Sequence, residues 1–163
     1  MTPEILDLLF PNKLPTIKEI EKKYPPRKLE KGAVVSRLAP SPTGYLHIGN
    51  FYQGFMAERL AHQNKGVFFL RVEDTDQARK VDGAVEIVLR ALGHYGVIPD
   101  EGAQMDGTER GKYAPYTQSQ RKEIYQAYAK EWVKKGFAYP CFCSSEDIDL
   151  MRKVQEKQGL RPG

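Results

Sequence analysis

Phosphate binding is the first chemistry that the sequence suggests, in the segment RLAPSPTGYLHIGN from Arg37 to Asn50. Gly44 and Gly49 remove side chains where a nucleotide would approach the backbone closely. His47 and Asn50 can donate hydrogen bonds to a triphosphate. A Pro-rich turn with one surface histidine is the alternative interpretation, and turn composition alone favours it.

Three carboxylates follow in the short acidic segment of Glu73, Asp74 and Asp76. Clustered carboxylates suit Mg²⁺, which prefers oxygen ligands. A solvated acidic turn is the commoner explanation of such a cluster. The residues themselves leave both interpretations open.

Cys141 and Cys143 are the two cysteines of the chain. Alternate positions on a strand point to the same side, so both sulfurs could reach one ion. A structural zinc needs four ligands, usually Cys or His, and the histidines at 47, 62 and 94 lie far upstream. Two buried or strand cysteines are therefore favoured over half of a zinc site.

A strand–helix–strand pattern would position the first two of these segments. Apolar periodicity predicts a strand over 33–38, a helix over 47–63 and a second strand over 67–72. Two strands joined in this way lie parallel, with a right-handed crossover. Ligands bind at the carboxyl ends of such strands and at helix N-termini, where both segments fall. The predicted fold class is therefore α/β, with a parallel βαβ core.

Capping and turn signals predict the other elements. The N-terminal residues 1–32 are expected to form a helical extension, because about thirty residues bury too little surface to fold alone. The remaining predicted elements are a helix over 82–95, a long loop over 96–117, a helix over 118–135, a strand over 137–143 and a helix over 144–158 that Ser144 and Asp147 cap.

The composition excludes several classes of protein. The chain has 163 residues, a net charge of +4 and a pI near 9.0, which favour an anionic partner. The longest charge-free run, from Leu38 to Ala57, contains prolines and glycines and is not a membrane span. The N-terminus lacks the features of a signal peptide. A cytoplasmic protein without a membrane partner is expected.

The ordered strings resemble a known family. His47-Ile48-Gly49-Asn50 resembles the nucleotide-binding signature of class I aminoacyl-tRNA synthetases, and the longer string from Arg37 to Gly49 resembles its glutamyl-tRNA synthetase version. The segment FLRVEDTD, residues 69–76, is similar to that family's Arg-Ile-Glu-Asp-Thr-Asp motif. Residues 116–121 and 139–143 also resemble segments of this family, as do 7–11 and 24–27, so the likeness covers nearly the whole chain.

This resemblance implies a fold, an activity and substrates. Residues 33–136 would form the N-terminal half of a Rossmann-like catalytic domain, and 137–163 the start of an inserted acceptor-binding region. The implied activity is ATP-dependent activation of glutamate, followed by transfer to tRNA(Glu). The implied cofactors and partners are ATP with Mg²⁺, glutamate and tRNA, with the protein a monomer.

The resemblance also implies roles for individual residues. ATP would be bound by Thr43, His47, Gly49 and Asn50, of which Thr43, His47 and Asn50 would be catalytic; glutamate by Arg37, Ala39, Ser41 and Glu73; and the tRNA acceptor end by Asp76 and Arg79. In some family members a Cys-x-Cys pair like Cys141 and Cys143 is completed as a zinc site by ligands more than about twenty residues later. The glutaminyl relatives carry an acidic residue where this chain has Ser41, which favours glutamate over glutamine.

Three alternatives remain. The chain contains no string like the family's second motif, Lys-Met-Ser-Lys-Ser, so a module that binds nucleotide or tRNA without chemistry is the leading alternative. A paralogue that transfers glutamate to a modified tRNA base is another, and a nucleotidyltransferase of the same superfamily is a third. We expect a fragment of a glutamate–tRNA ligase that is inactive alone.

Overall fold

A four-stranded sheet forms the centre of the computed structural model, which describes residues 3–44 and 46–162. The strands, in both chain and spatial order, are β1 (Val35–Leu38), β2 (Val67–Leu70), β3 (Glu101–Ala103) and β4 (Glu109–Arg110). β1, β2 and β3 are parallel, and β4 pairs antiparallel with β3. The predicted α/β class and the parallel pairing of the first two strands are confirmed.

Six helices accompany the sheet in the described residues. They are α1 (Pro3–Leu9), α2 (Ile17–Lys23), α3 (Ile48–Gln63), α4 (Ala84–His94), α5 (Lys122–Lys135) and α6 (Ser145–Lys157). Reciprocal capping boxes begin α2, at Thr16 with Glu19, and α6, at Ser144 with Asp147. Such side-chain bonds satisfy backbone N–H groups that have no partner inside the helix. These helices confirm the predicted ones. Thr2, which the sequence suggests as the cap of the first helix, lies outside the described residues.

Helix α3 packs on the sheet through small side chains and through Phe51 and Phe55, which are partly buried against the core. Gly54 and Ala61 are buried on it, and Ser36 of β1 donates a 2.6 Å hydrogen bond to the carbonyl of Ala57. Four other apolar side chains of α3 are exposed: Ile48, Tyr52, Met56 and Leu60. The buried core around the sheet comprises Leu38, Ala61, Phe68, Leu70, Val88, Leu92 and Val97.

Two predicted segments differ in the structure. The region 96–117, predicted as a loop without regular structure, contains β3 and β4, because the turn at Gly107 lets the chain pair with itself. The strand predicted over 137–143 is wrong. No strand of the described residues pairs with it, and a strand without a partner leaves its backbone hydrogen bonds unmade.

The described residues divide into two compact units. One consists of residues 12–128 and contains the sheet; the other joins the residues up to Pro11 with those from Ala129 onward. The second unit includes an ion pair of Lys130 with Asp7 at 2.9 Å. The division into domains at 1–32, 33–136 and 137–163 stays a prediction. No described helix combines the length and apolar character needed to cross a membrane.

Candidate active site

The start of α3 carries the residues expected to face ATP. His47 is the N-cap, and its Nδ1 accepts a 3.2 Å hydrogen bond from the Gly49 N–H. Asn50 returns the contact by accepting from the His47 N–H at 3.4 Å. This helix start follows the carboxyl end of β1, and its dipole favours an anion there.

The turn after β1 is fixed against the segment after β2 by two carbonyl groups. The Glu73 N–H donates to the Pro40 carbonyl at 3.0 Å, and the Val81 N–H donates to the Pro42 carbonyl at 2.9 Å. Both prolines are buried and have no N–H of their own. The two motifs are therefore held side by side at the carboxyl ends of adjacent parallel strands, as the sequence predicted.

Glu73 lies between two arginines. Its carboxylate is 2.8 Å from Arg37 and 2.5 Å from Arg71. Burial would raise the pKa of Glu73, but hydrogen bonds from the two guanidinium groups outweigh it and hold the pKa below its usual value. The side chains of Arg37 and Glu73 are 45% and 30% exposed, so a small ligand can reach both charges.

Asp74 faces the interior and is not part of a solvated turn, which is the commoner explanation of such an acidic cluster. It is 4% exposed and accepts hydrogen bonds from the Ser119 N–H at 2.9 Å and the Ser119 hydroxyl at 2.6 Å. Burial alone would raise the pKa of Asp74, yet the bonds from Ser119 lower it. Asp74 therefore attaches the end of β2 to the segment before α5.

Asp76 and Arg79, assigned to the tRNA acceptor end, lie together in the same turn. Asp76 caps a 3-10 turn over Gln77–Arg79 and accepts from the Arg79 N–H at 3.1 Å and from its Nε at 2.6 Å. These bonds lower the pKa of the Asp76 carboxyl. The Arg79 side chain is 76% exposed.

The other predicted site residues lie in two places, the turn after β1 and the segment before α6. Ala39 and Thr43 are half-buried and Ser41 is exposed, all in the turn after β1. Cys141 and Cys143 are exposed and lie outside any strand, so their favoured interpretation as buried or strand cysteines is wrong. Hydrogen bonds from the N–H and thiol of Cys143 lower the pKa of the Cys141 thiol. Within the described residues no cluster of three or more His, Cys, Asp or Glu side chains could hold a metal ion. The zinc half-site stays a prediction.

Sequence reasoning gave no role to Arg71 or Ser119. Arg71 lies two positions before Glu73, and alternate residues of an extended segment point to one side, which could have indicated the contact. Ser119 is 45 residues from Asp74, and no local pattern indicates that pairing.

Comparisons with known proteins agree with this fold. The family model described as tRNA synthetases class I (E and Q), catalytic domain, matches residues 33–162, and the chain belongs to this family. Over 98% of its length the chain is 46% identical to a glutamate–tRNA ligase of Clostridium perfringens and 50% identical to one of Acetivibrio thermocellus. It spans 29% of the length of each of these relatives.

Two solved structures that resemble this chain come from the same family. A glutamate–tRNA synthetase of Elizabethkingia anophelis matches with a TM-score of 0.71 and 40% identity over 79% of this chain and 25% of that one. A glutamate–tRNA ligase of Elizabethkingia meningosepticum, solved in complex with its amino acid, matches with a TM-score of 0.68 and 40% identity over 80% of this chain and 25% of its own.

Proposed function

We propose that this chain supplies the glutamate site and part of the ATP site of a glutamate–tRNA ligase. The observation that carries the proposal is the contact of Arg37 with Glu73 at the carboxyl ends of two parallel strands, the first of which leads into the helix start at His47. The relatives named as glutamate–tRNA ligases support the same activity.

Glutamate carries one ammonium and two carboxylates, and the pair of Arg37 and Glu73 offers the complementary charges. The γ-carboxylate of glutamate would pair with the guanidinium of Arg37, and its α-ammonium would pair with the carboxylate of Glu73. These two contacts would replace the one between Arg37 and Glu73. Arg71 would then remain on Glu73 and keep it ionised. A neutral glutamine side chain would leave Arg37 without its charge partner, and unpaired polar groups of this kind can reject an analogue by roughly 10⁴-fold.

ATP would approach the start of α3 with Thr43, His47, Gly49 and Asn50. Phosphate oxygens would compete for the N–H groups that His47 and Asn50 now cap. In the first reaction step the glutamate α-carboxylate attacks the α-phosphate and pyrophosphate leaves. Alignment and charge stabilisation supply most of the catalysis in such a step.

Mg²⁺ would enter with ATP rather than bind to the acidic turn. Glu73 pairs with arginines, Asp74 with Ser119, and Asp76 with Arg79, so the three carboxylates have separate partners. The residues of this turn therefore do not fit a metal site of their own. Transfer to the tRNA ribose would place the acceptor end near Asp76 and Arg79.

The test is Arg37→Ala, measured by titration of the 163-residue chain with glutamate. We expect binding to weaken about 10- to 100-fold, because a hydrogen bond to a charged group is worth about 1.5–3 kcal/mol. The fold should be unchanged, since the Arg37 side chain is 45% exposed. In a full-length ligase that contains this chain, the same change should abolish glutamate-dependent pyrophosphate exchange.

Arg90→Ala, at an exposed arginine on α4, is the control with the same charge change. Near-normal glutamate binding and activation by Arg37→Ala would show that Arg37 does not hold the substrate. The leading alternative is a module that binds ATP or tRNA without chemistry. A ligase containing the chain that binds ATP but never exchanges pyrophosphate would support that alternative.

A further inference from the structure

Arg27, in the segment before β1, forms a half-buried contact with β3. Its Nη1 donates to Glu101 at 2.7 Å, and its Nη2 makes a second bond to the same carboxylate. The guanidinium also lies 4.0 Å from the ring centre of Tyr113. The side chains of Arg27 and Glu101 are only 18% and 15% exposed. A bidentate pair of this kind fixes both position and orientation.

Glu101 extends the contact to Tyr116, whose hydroxyl donates to its Oε2 at 2.7 Å. Tyr116 is 2% exposed, and burial together with this hydrogen bond raises its pKa to about 12. The hydrogen bond from Arg27 lowers the pKa of Glu101. The phenol is therefore a donor and the carboxylate an acceptor throughout the physiological range. We call Arg27, Glu101, Tyr113 and Tyr116 the Arg27 cluster.

The backbone of Tyr116 holds the end of β2. The Val72 N–H donates to the Tyr116 carbonyl at 3.0 Å, and the Val72 carbonyl accepts from the Gln118 N–H at 2.8 Å. The next residue after Val72 is Glu73, and Ser119 binds Asp74. The Arg27 cluster is therefore one hydrogen-bonded step away from the backbone that carries Glu73.

A second set of contacts attaches the same N-terminal segment. The Tyr24 hydroxyl donates to the Ala114 carbonyl at 3.0 Å, and the Tyr113 hydroxyl donates to the Pro25 carbonyl at 2.8 Å. Arg121 donates to the Pro115 carbonyl at 2.7 Å and lies over the Tyr24 ring at 5.3 Å. Residues 24–27 and 113–121 thus hold each other through several independent bonds.

From these contacts we propose that Arg27 is a positioning residue for the glutamate site, which it serves by fixing Tyr116 and, through Tyr116, the end of β2 that carries Glu73. This inference rests on the proposed function. The Arg27 cluster lies on the β3 side of β2, whereas the residues proposed to bind ATP follow β1. None of the described contacts of the Arg27 cluster reaches His47, Gly49 or Asn50. Arg27 therefore acts on glutamate binding and not on ATP binding.

The experiment compares the 163-residue chain with its Arg27→Ala variant in two measurements. Amide hydrogen exchange at Val72 and Gln118 should become about tenfold faster, because losing the hydrogen bonds of Arg27 lowers the free energy needed to open this part of the backbone. Exchange at Phe68 and Leu70 should stay slow. Titration should show glutamate affinity falling about tenfold with ATP affinity unchanged. In a full-length ligase that contains this chain, the KM for glutamate should rise with little change in kcat.

Three further variants separate positioning from general stability. Tyr116→Phe deletes only the hydroxyl that joins the cluster and should reproduce both effects of Arg27→Ala. Arg27→Lys keeps the charge without the bidentate geometry and should restore part of the loss. Lys65→Ala removes an exposed ion pair with Glu30 in the same unit and should change neither measurement.

Two results would overturn the inference. One is unchanged exchange at Val72 and Gln118 in Arg27→Ala. The other is an equal loss of glutamate and ATP affinity, which marks a role in folding only. If the unsubstituted chain fails to bind glutamate, the proposed function is lost, and the exchange measurement still decides whether Arg27 fixes the end of β2.

Discussion

The carboxylates that follow β2 have three different environments within one short turn. Glu73 is flanked by Arg37 and Arg71, Asp74 is buried against Ser119, and Asp76 binds its own turn through Arg79. Of the three, only Glu73 is paired with an arginine of the neighbouring strand, Arg37, and both side chains are partly exposed, so a zwitterionic ligand could displace this contact. At the scale of single residues, the neighbours of each carboxylate separate a binding role from a structural one.

A second charged group lies away from this turn, around His62 at the end of α3. Its Nδ1 is 2.8 Å from Glu58 and its Nε2 is 2.9 Å from Asp100. Glu58 is 3% exposed and also faces Arg59 at 3.2 Å, while Arg110 donates to the backbone carbonyl of Asp100 at 2.8 Å. The hydrogen bond to Asp100, with help from Glu58, raises the pKa of His62.

His62→Gln should therefore cost more stability in mild acid than in mild base. A raised folded-state pKa stabilises the fold fully below the unfolded value of about 6.5, and that contribution is lost as pH rises through the folded pKa. The measurement is the free energy of unfolding by denaturant at about pH 5.5 and about pH 8.5, on either side of that value. A cost that is the same at both pH values would contradict the prediction. His94→Gln, at an exposed histidine, is the control.

The close approach between α3 and the sheet depends on glycine at two positions. A Cβ on Gly54 would lie 3.0 Å from a methyl carbon of Leu38, and one on Gly66 would lie 1.8 Å from the Val34 carbonyl oxygen. Gly66 comes where the chain returns from α3 to β2, and the Val67 N–H donates to that same carbonyl at 3.0 Å. At the scale of elements, the crossover is tight because these positions carry no side chain.

Gly66→Ala should destabilise the fold by about 1–3 kcal/mol or more, because the backbone of Val34 must move to admit a methyl group. Gly93→Ala in α4 is the matched control, since a Cβ there meets nothing within 4 Å. An alanine inside a helix should gain up to about 1 kcal/mol over glycine. Thermal or denaturant unfolding measures both. Equal stability of the two variants would contradict the prediction, because it would show that the crossover can accommodate a methyl group at position 66.

The elements that the sequence predicted best are those with local signals. Ser144 with Asp147 marks a helix start within four residues, and the structure has this capping box. The parallel strands followed from apolar runs and the helix between them. The strand predicted over 137–143 was wrong because apolar and aromatic residues alone do not supply a neighbouring strand. Pairing of β3 with β4 was missed because their segments, EGA and ER, are short and not apolar.

For the candidate site, too, the sequence predicted what local signals indicate and missed the contacts between distant segments. The turn after β1 and the acidic turn after β2 could be assigned to one edge of the sheet, because parallel strands end together. The partners of those residues could not, since Ser119 and Arg27 reach the site through contacts between segments far apart in the sequence. Long-range pairing is set by the assembled fold, and a single sequence gives no signal for it.

At the scale of the whole molecule, the chain has a fully capped helix start at His47 and spans 29% of the length of its relatives. Within the described residues, large apolar side chains are exposed on both units, among them Ile48 at 81% in one and Phe142 at 81% in the other. The two strand-end motifs that would bind glutamate and ATP both lie in the unit of residues 12–128. Ligand binding and full catalysis can therefore be tested separately.

We expect the 163-residue chain to bind ATP weakly but not to charge tRNA. The helix start at His47 should retain some affinity for phosphate, whereas the chain has no Lys-Met-Ser-Lys-Ser-like string to bind pyrophosphate from the opposite side. Losing one preorganised donor to a developing charge costs about 10²–10³ in rate, and losing the alignment of the reactants can cost roughly 7–11 kcal/mol. The assay combines radiolabelled glutamate, ATP, Mg²⁺ and cognate tRNA with the purified chain, and a titration with ATP alone measures the residual affinity. Charging within about a hundredfold of a typical turnover of ~10 per second would contradict the prediction, because alignment would then be complete within these residues.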